Sequence, residues 1–113
     1  MKRNNKEFLS QALTRQAAHL GQAVIAARIA RNMTRQDFSE RANISPSTLM
    51  RIENGDVSVS FSSWLQAFER AGLLGLLQPL GNPQNDLVGE ARRKAESRAR
   101  PRKTASKTGD YDF

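Results

Sequence analysis

Apolar positions recur with helical spacing along most of the chain. Leu13, Leu20, Val24 and Ala27, with Arg28 beside them, describe one face of a helix running to about Asn32. Whether Phe8 to Ala18 continues that helix or forms a separate turn is left open, because Gly21 intervenes and an interior glycine costs about 1 kcal/mol. Phe38 and Ala42 mark the buried face of a second helix, and Leu49 and Ile52 that of a third. Phe61, Trp64, Leu65, Phe68 and Ala71 line one side of a fourth. Leu73, Leu74, Leu76 and Leu77 form a last apolar segment before Pro79. Nothing alternates like a strand for long. Val57-Ser58-Val59-Ser60 comes nearest, yet it is confined between a turn and a helix start. The pattern predicts an all-α bundle of five helical segments.

Polar residues punctuate these helices where backbone chemistry needs them. Thr34 is placed to cap the second helix, with Gln36 and Asp37 in its first turn, where acceptors and negative charge are favoured. Asn43 tolerates the left-handed conformation that ends a helix. Ser45-Pro46 restarts one, with serine as cap and proline at the first position, where a missing N–H costs nothing. Asn54-Gly55 closes that third helix, Ser60 or Ser62 opens the fourth, and Gly72 ends it. The second and third helices are therefore short and joined by a tight turn.

Composition narrows the class. The 113 residues suffice for one small core, and 38% are apolar but only 6% aromatic, so that core is mostly aliphatic. Eighteen Lys and Arg against eleven Asp and Glu give a net charge of +7, which favours a polyanionic partner. With no Cys and a single His, neither a disulfide framework nor a metal site is expected, which suits a reducing cytoplasm. No apolar run is long enough for a signal peptide or membrane span. No nucleophile–base pair or phosphate loop is visible, so an enzyme is not expected, nor any cofactor. The charge is uneven: residues 1–80 carry ten basic and six acidic residues, whereas 88–107 carry eight basic and two acidic. Apolar content collapses after Leu80, which predicts a disordered basic tail over 81–113. Residues 1–18 are read as an N-terminal helical extension and 19–80 as the folded domain.

Two short helices around a tight turn in a basic chain suggest a helix-turn-helix. Through "TRQDFSERA" and "ISPSTLMRIENG" the chain resembles the lambda-repressor/Cro-like (XRE-type) DNA-binding family over Leu20 to Leu77. The resemblance implies that Ser45 to Asn54 forms the recognition helix of a repressor and lies in the major groove of double-stranded DNA. It implies DNA contacts by Arg35, Gln36, Ser45, Pro46, Ser47, Thr48, Arg51 and Asn54. Arg51 is the strongest base reader, because its fork can bond guanine O6 and N7 together. Pro46 stands where relatives often carry a polar reader and can offer only apolar contact. Arg35 stands where relatives commonly have glutamine, so a charged phosphate clamp replaces a neutral one. Arg28 and Glu53 occupy the positions of a structural ion pair that orients the recognition helix. The rival reading makes Arg28 a phosphate contact.

One recognition helix spans few base pairs, so a homodimer on a palindromic operator is expected. Leu73, Leu74, Leu76 and Leu77, with Trp64 as an alternative to its core role, are the candidate interface. The stretch from "SVSFSSWLQAFERAGLLGLL" to "NPQNDLVGEARRK" is similar to the HipB-like subgroup of these regulators. That likeness implies an autorepressing antitoxin paired with a HipA-like Ser/Thr kinase toxin. The alternatives are a stand-alone phage-type or controller-type repressor, or a module whose main role is to hold a partner protein.

Overall fold

The computed structural model describes residues 8–99, and the tail beyond Ala99 lies outside them. Among these residues there are helices and no strand: α1 (Gln11–Ala30), α2 (Arg35–Ala42), α3 (Pro46–Glu53), α4 (Phe61–Ala71), 3₁₀ segments at Leu74–Gly81 and Pro83–Asn85, and α5 (Leu87–Ala99). They form two compact units that divide between Leu77 and Gln78.

Local chemistry sets the helix ends of the first unit. Ser10, Thr34, Ser45 and Ser60 each accept a hydrogen bond from the backbone N–H three residues on, which satisfies a donor that the helix leaves free. Asn43 ends α2 at φ 62°, and Gly72 ends α4 at φ 78°. Ser60, rather than Ser62, is the cap of α4. Inside, Val24, Phe38, Leu49, Ile52, Val59, Trp64, Ala67 and Phe68 make the core, with Leu20, Met33, Ile44, Leu65, Leu73 and Leu77 packed around it. The Trp64 and Phe68 rings lie 5.7 Å apart and tilted by 55°, a favourable aromatic arrangement one helical turn apart.

Gly21 does not interrupt α1; it permits the packing of α1 on α3. A Cβ at this position would meet the carbonyl oxygens of Ile52 and Glu53 at 2.5 and 2.7 Å. The backbones therefore approach as no other residue would allow, and that contact outweighs the propensity cost. One helix consequently runs from Gln11 to Ala30, so of the two alternatives left open the stretch up to Ala18 continues the helix. Ala17 is buried, and the Gly55 turn packs on the backbone of Ala17 and Ala18.

Other expectations need correction. Leu13 is exposed, because α1 reaches beyond the core at its N-terminal end. Phe61 is 72% exposed: the core that receives Trp64 and Phe68 does not extend to the first residue of α4. The leucine-rich fifth segment is 3₁₀ rather than α-helical: it begins after the left-handed Gly72 and, instead of stopping before Pro79, continues through that proline to Gly81. In the second unit, Pro83–Asn85 and Leu87–Ala99 are helical where disorder was expected. Asp86 caps α5 by accepting from the Gly89 N–H at 3.0 Å, and Arg93 bonds both Glu90 and the Pro83 carbonyl. Ala, Arg, Lys and Glu dominate α5, so its order comes from helix propensity and capping and not from burial; no residue of it is buried.

Replacing Gly21 by alanine is expected to destabilise the first unit by about 2 kcal/mol or more, despite alanine's better propensity. Urea denaturation followed by fluorescence of the sole tryptophan measures it. A neutral or stabilising result would contradict the close approach of α1 to α3.

Candidate nucleic-acid interface

The pair α2–α3 is held by its buried stripes. Phe38 and Ala42 of α2 and Leu49 and Ile52 of α3 enter one core, which leaves the opposite side of α3 to solvent. Pro46, Ser47, Met50 and Arg51 are exposed there, with Thr48 half-buried and Asn54 exposed at the C-terminal end.

The carboxylate of Glu53 fixes this helix against its neighbours. Glu53 is 2% exposed. Arg28 Nε of α1 donates to its Oε2 at 2.7 Å and Arg28 Nη2 to its Oε1 at 3.3 Å. Arg35 Nε, from the first residue of α2, donates to Oε1 at 2.9 Å. Arg28 Nη1 also bonds the Met33 carbonyl at 3.1 Å, tying down the turn between α1 and α2. Among the described residues no buried side-chain polar atom lacks a partner. The geometry gives Arg28 a largely buried structural place, whereas the rival reading needs it free for phosphate.

Arg35, the expected charged phosphate clamp at the start of α2, is shared: its Nε is engaged by Glu53 while the side chain remains 50% exposed. Gln36 is exposed beside it with its amide on Glu40 at 2.7 Å. Ser45 is occupied with capping, accepting from the Thr48 N–H and donating to Thr48 Oγ1 at 2.9 Å. Its Oγ also lies 3.2 Å from Ser47 Oγ, so three hydroxyls cluster at the exposed start of α3. Asn54 caps the helix end through its backbone N–H.

Arg51 does not extend freely into solvent. Its Nε donates to Asp56 Oδ2 at 3.0 Å and its Nη2 to Ser58 Oγ at 2.8 Å, with the side chain 50% exposed. Asp56 Oδ1 accepts from both the N–H and the hydroxyl of Ser58, at 2.9 and 2.6 Å. The two Ser58 bonds above all hold the Asp56 carboxyl down at about 2; burial opposes them, and the Arg51 guanidinium adds to the lowering through its hydrogen bond and its charge. Neither Asp56 nor Ser58 is prominent in the sequence, although Asp-x-Ser after a helix is a turn signal that could have found them. Met50 was likewise missed; its place between the inward Leu49 and Ile52 was the available clue.

Trp64, considered for a subunit interface, is 8% exposed and spent within its own core, its Nε1 donating to the Asp56 carbonyl at 3.3 Å. Leu73 and Leu77 pack partly on that core, whereas Leu74 and Leu76 are exposed. Among the described residues no His, Cys, Asp or Glu cluster could hold a metal, and no helix is long and apolar enough to cross a membrane.

Against known proteins, residues 24–67 match the model of a helix-turn-helix family, from the middle of α1 into α4. That match supports the XRE-type, lambda-repressor/Cro-like resemblance and a DNA-binding transcription regulator. Neither the curated proteins nor the solved structures gave a match.

The low Asp56 value carries a sign. The carboxylate is favoured in the folded state, so its contribution is complete above about pH 4 and disappears as pH falls towards 2. Asp56→Asn is expected to cost about 1–2 kcal/mol at neutral pH and progressively less below pH 4. Urea melts across pH 2–7 check this; a difference that stays constant down to pH 2 would contradict it.

Proposed function

We propose that the chain is a sequence-specific repressor that lays α3 in the major groove and binds a palindromic operator as a two-fold dimer. The observation that carries this reading is the two-sidedness of α3. Leu49, Ile52 and Glu53 lock it inward, while Ser47, Thr48, Met50 and Arg51 remain on its outer side. Arg51 reads guanine, Ser47 and Thr48 offer adaptable hydroxyls, and Pro46 and Met50 offer apolar contact to thymine methyls. Arg35, Gln36 and the N–H groups opening α2 face phosphate, with the backbone at Asn54 as a further phosphate contact.

Two copies place their recognition helices about 34 Å apart, one helical turn of DNA. Exposed Leu74 and Leu76, next to half-buried Leu73 and Leu77, support this region as the dimer contact. The finer reading is an autorepressing antitoxin that also holds a HipA-like kinase toxin. Its support is the likeness of the segment after Asp56 to the HipB-like subgroup.

Selection of duplexes from a randomised pool by the full chain defines the operator for the test. Arg51→Ala is expected to lower affinity for the selected duplex about tenfold or more, with unrelated duplexes losing no more than one phosphate contact. Sedimentation equilibrium of the same complex is expected to give two chains per duplex. Equal losses on every sequence, or a single chain per operator, would overturn the corresponding half of the proposal.

A further inference from the structure

We infer that Asp56 and Ser58, in the turn after the recognition helix, are specificity-positioning residues that hold the Arg51 guanidinium edge-on and present its outer fork to a guanine. This inference rests on the proposed base-reading role of Arg51.

A guanidinium has two usable edges, one made by Nε and Nη2 and the other by Nη1 and Nη2. Asp56 Oδ2 and Ser58 Oγ occupy the first edge, at 3.0 and 2.8 Å. Nη1 makes no hydrogen bond among the described residues, and the side chain is half-exposed. The second edge, whose two parallel N–H groups match guanine O6 and N7, is thus left outward.

The clamp is itself immobilised. Ser58 donates twice to Asp56 Oδ1, through its N–H and its hydroxyl, which fixes the carboxylate plane and leaves Oδ2 for Arg51. The Asp56 N–H bonds the Arg51 carbonyl at 2.9 Å, and the Asp56 carbonyl accepts from buried Trp64. A chain of bonds therefore runs from the core, through the turn, to the reading side chain.

Two effects follow from general chemistry. A free arginine loses rotamer entropy on binding, whereas a clamped one has already lost it, so more of its contact energy appears as affinity for the matching base. A carboxylate beside the guanidinium also cancels its charge towards any phosphate, which weakens binding to unmatched DNA. Asp56 and Ser58 themselves touch no base; they act through Arg51.

The test compares the full chain with Arg51→Ala, Asp56→Asn and Ser58→Ala, each bound to a randomised duplex pool and scored for base preference at every position. Tryptophan fluorescence melts verify that Ser58→Ala, at an exposed position, and Asp56→Asn are folded. Both clamp variants are expected to lose about tenfold in preference for guanine at the positions that Arg51→Ala abolishes, and nowhere else. Affinity of Asp56→Asn for an unrelated duplex is expected to stay level or rise.

Undiminished guanine preference in both clamp variants, where Arg51→Ala removes it, overturns the positioning role while leaving the reading role intact. Uniform loss at all positions overturns it in favour of a purely structural turn. Equally tightened binding to all sequences overturns it in favour of an acid that merely restrains Arg51. If Arg51→Ala itself leaves every preference unchanged, the base-reading role falls, and positioning with it.

Discussion

A carboxylate withdrawn from water must be compensated or it unfolds its surroundings, and Glu53 is such a group. Its desolvation costs several kcal/mol, offset here by three charge-assisted hydrogen bonds from two arginines. Those arginines come from α1 and α2, and Glu53 is the last residue of α3. One acid thus makes the positions of three helices mutually dependent. An apolar replacement could fill the volume, but it would not specify the angle at which α3 leaves the core. Gly21 and Gly55 complete the constraint, since each lets backbone approach where a Cβ would collide.

From this fixed point the outer side of α3 acquires its order. Leu49 and Ile52 anchor the helix, Ser45 caps its start, and the turn after Asn54 folds back under Trp64. The residues proposed to read bases are therefore carried on a rigid element and not on a loop, which would confine the freedom lost on binding to the side chains themselves. At Arg51 even that freedom is reduced. Elsewhere on the same side Met50 retains flexible, polarisable character, suited to apolar contact that tolerates some variation in geometry.

Legibility in the sequence followed the range of the interaction. Caps and terminators at Thr34, Asn43, Ser45 and Gly72 were readable because a cap acts within three residues of itself. The stripes of α2, α3 and most of α4 were readable because periodicity reports burial. Phe61 and Leu13 defeated that reading: periodicity tells which side faces inward, not how far along the helix the core extends. The continuity of α1 through Gly21 was hidden because its cause lies more than thirty residues away, at Ile52 and Glu53. A separation of eighteen residues concealed the pairing of Arg35 with Glu53 in the same way. The Asp56–Ser58–Arg51 clamp is shorter in range but crosses a turn, where spacing rules for helices and strands fail. In α5, local helix propensity and the Asp86 cap order a segment whose lack of burial alone predicts disorder.

If α3 reads base edges in the major groove, as proposed, it meets the surface on which guanine N7 lies. Methylation interference on the selected duplex tests this. A methyl group on one guanine N7 in each half-site is expected to block binding, at symmetric positions about one helical turn apart. Binding that ignores N7 methylation throughout the site, and responds only to adenine N3 methylation in the minor groove, would contradict it.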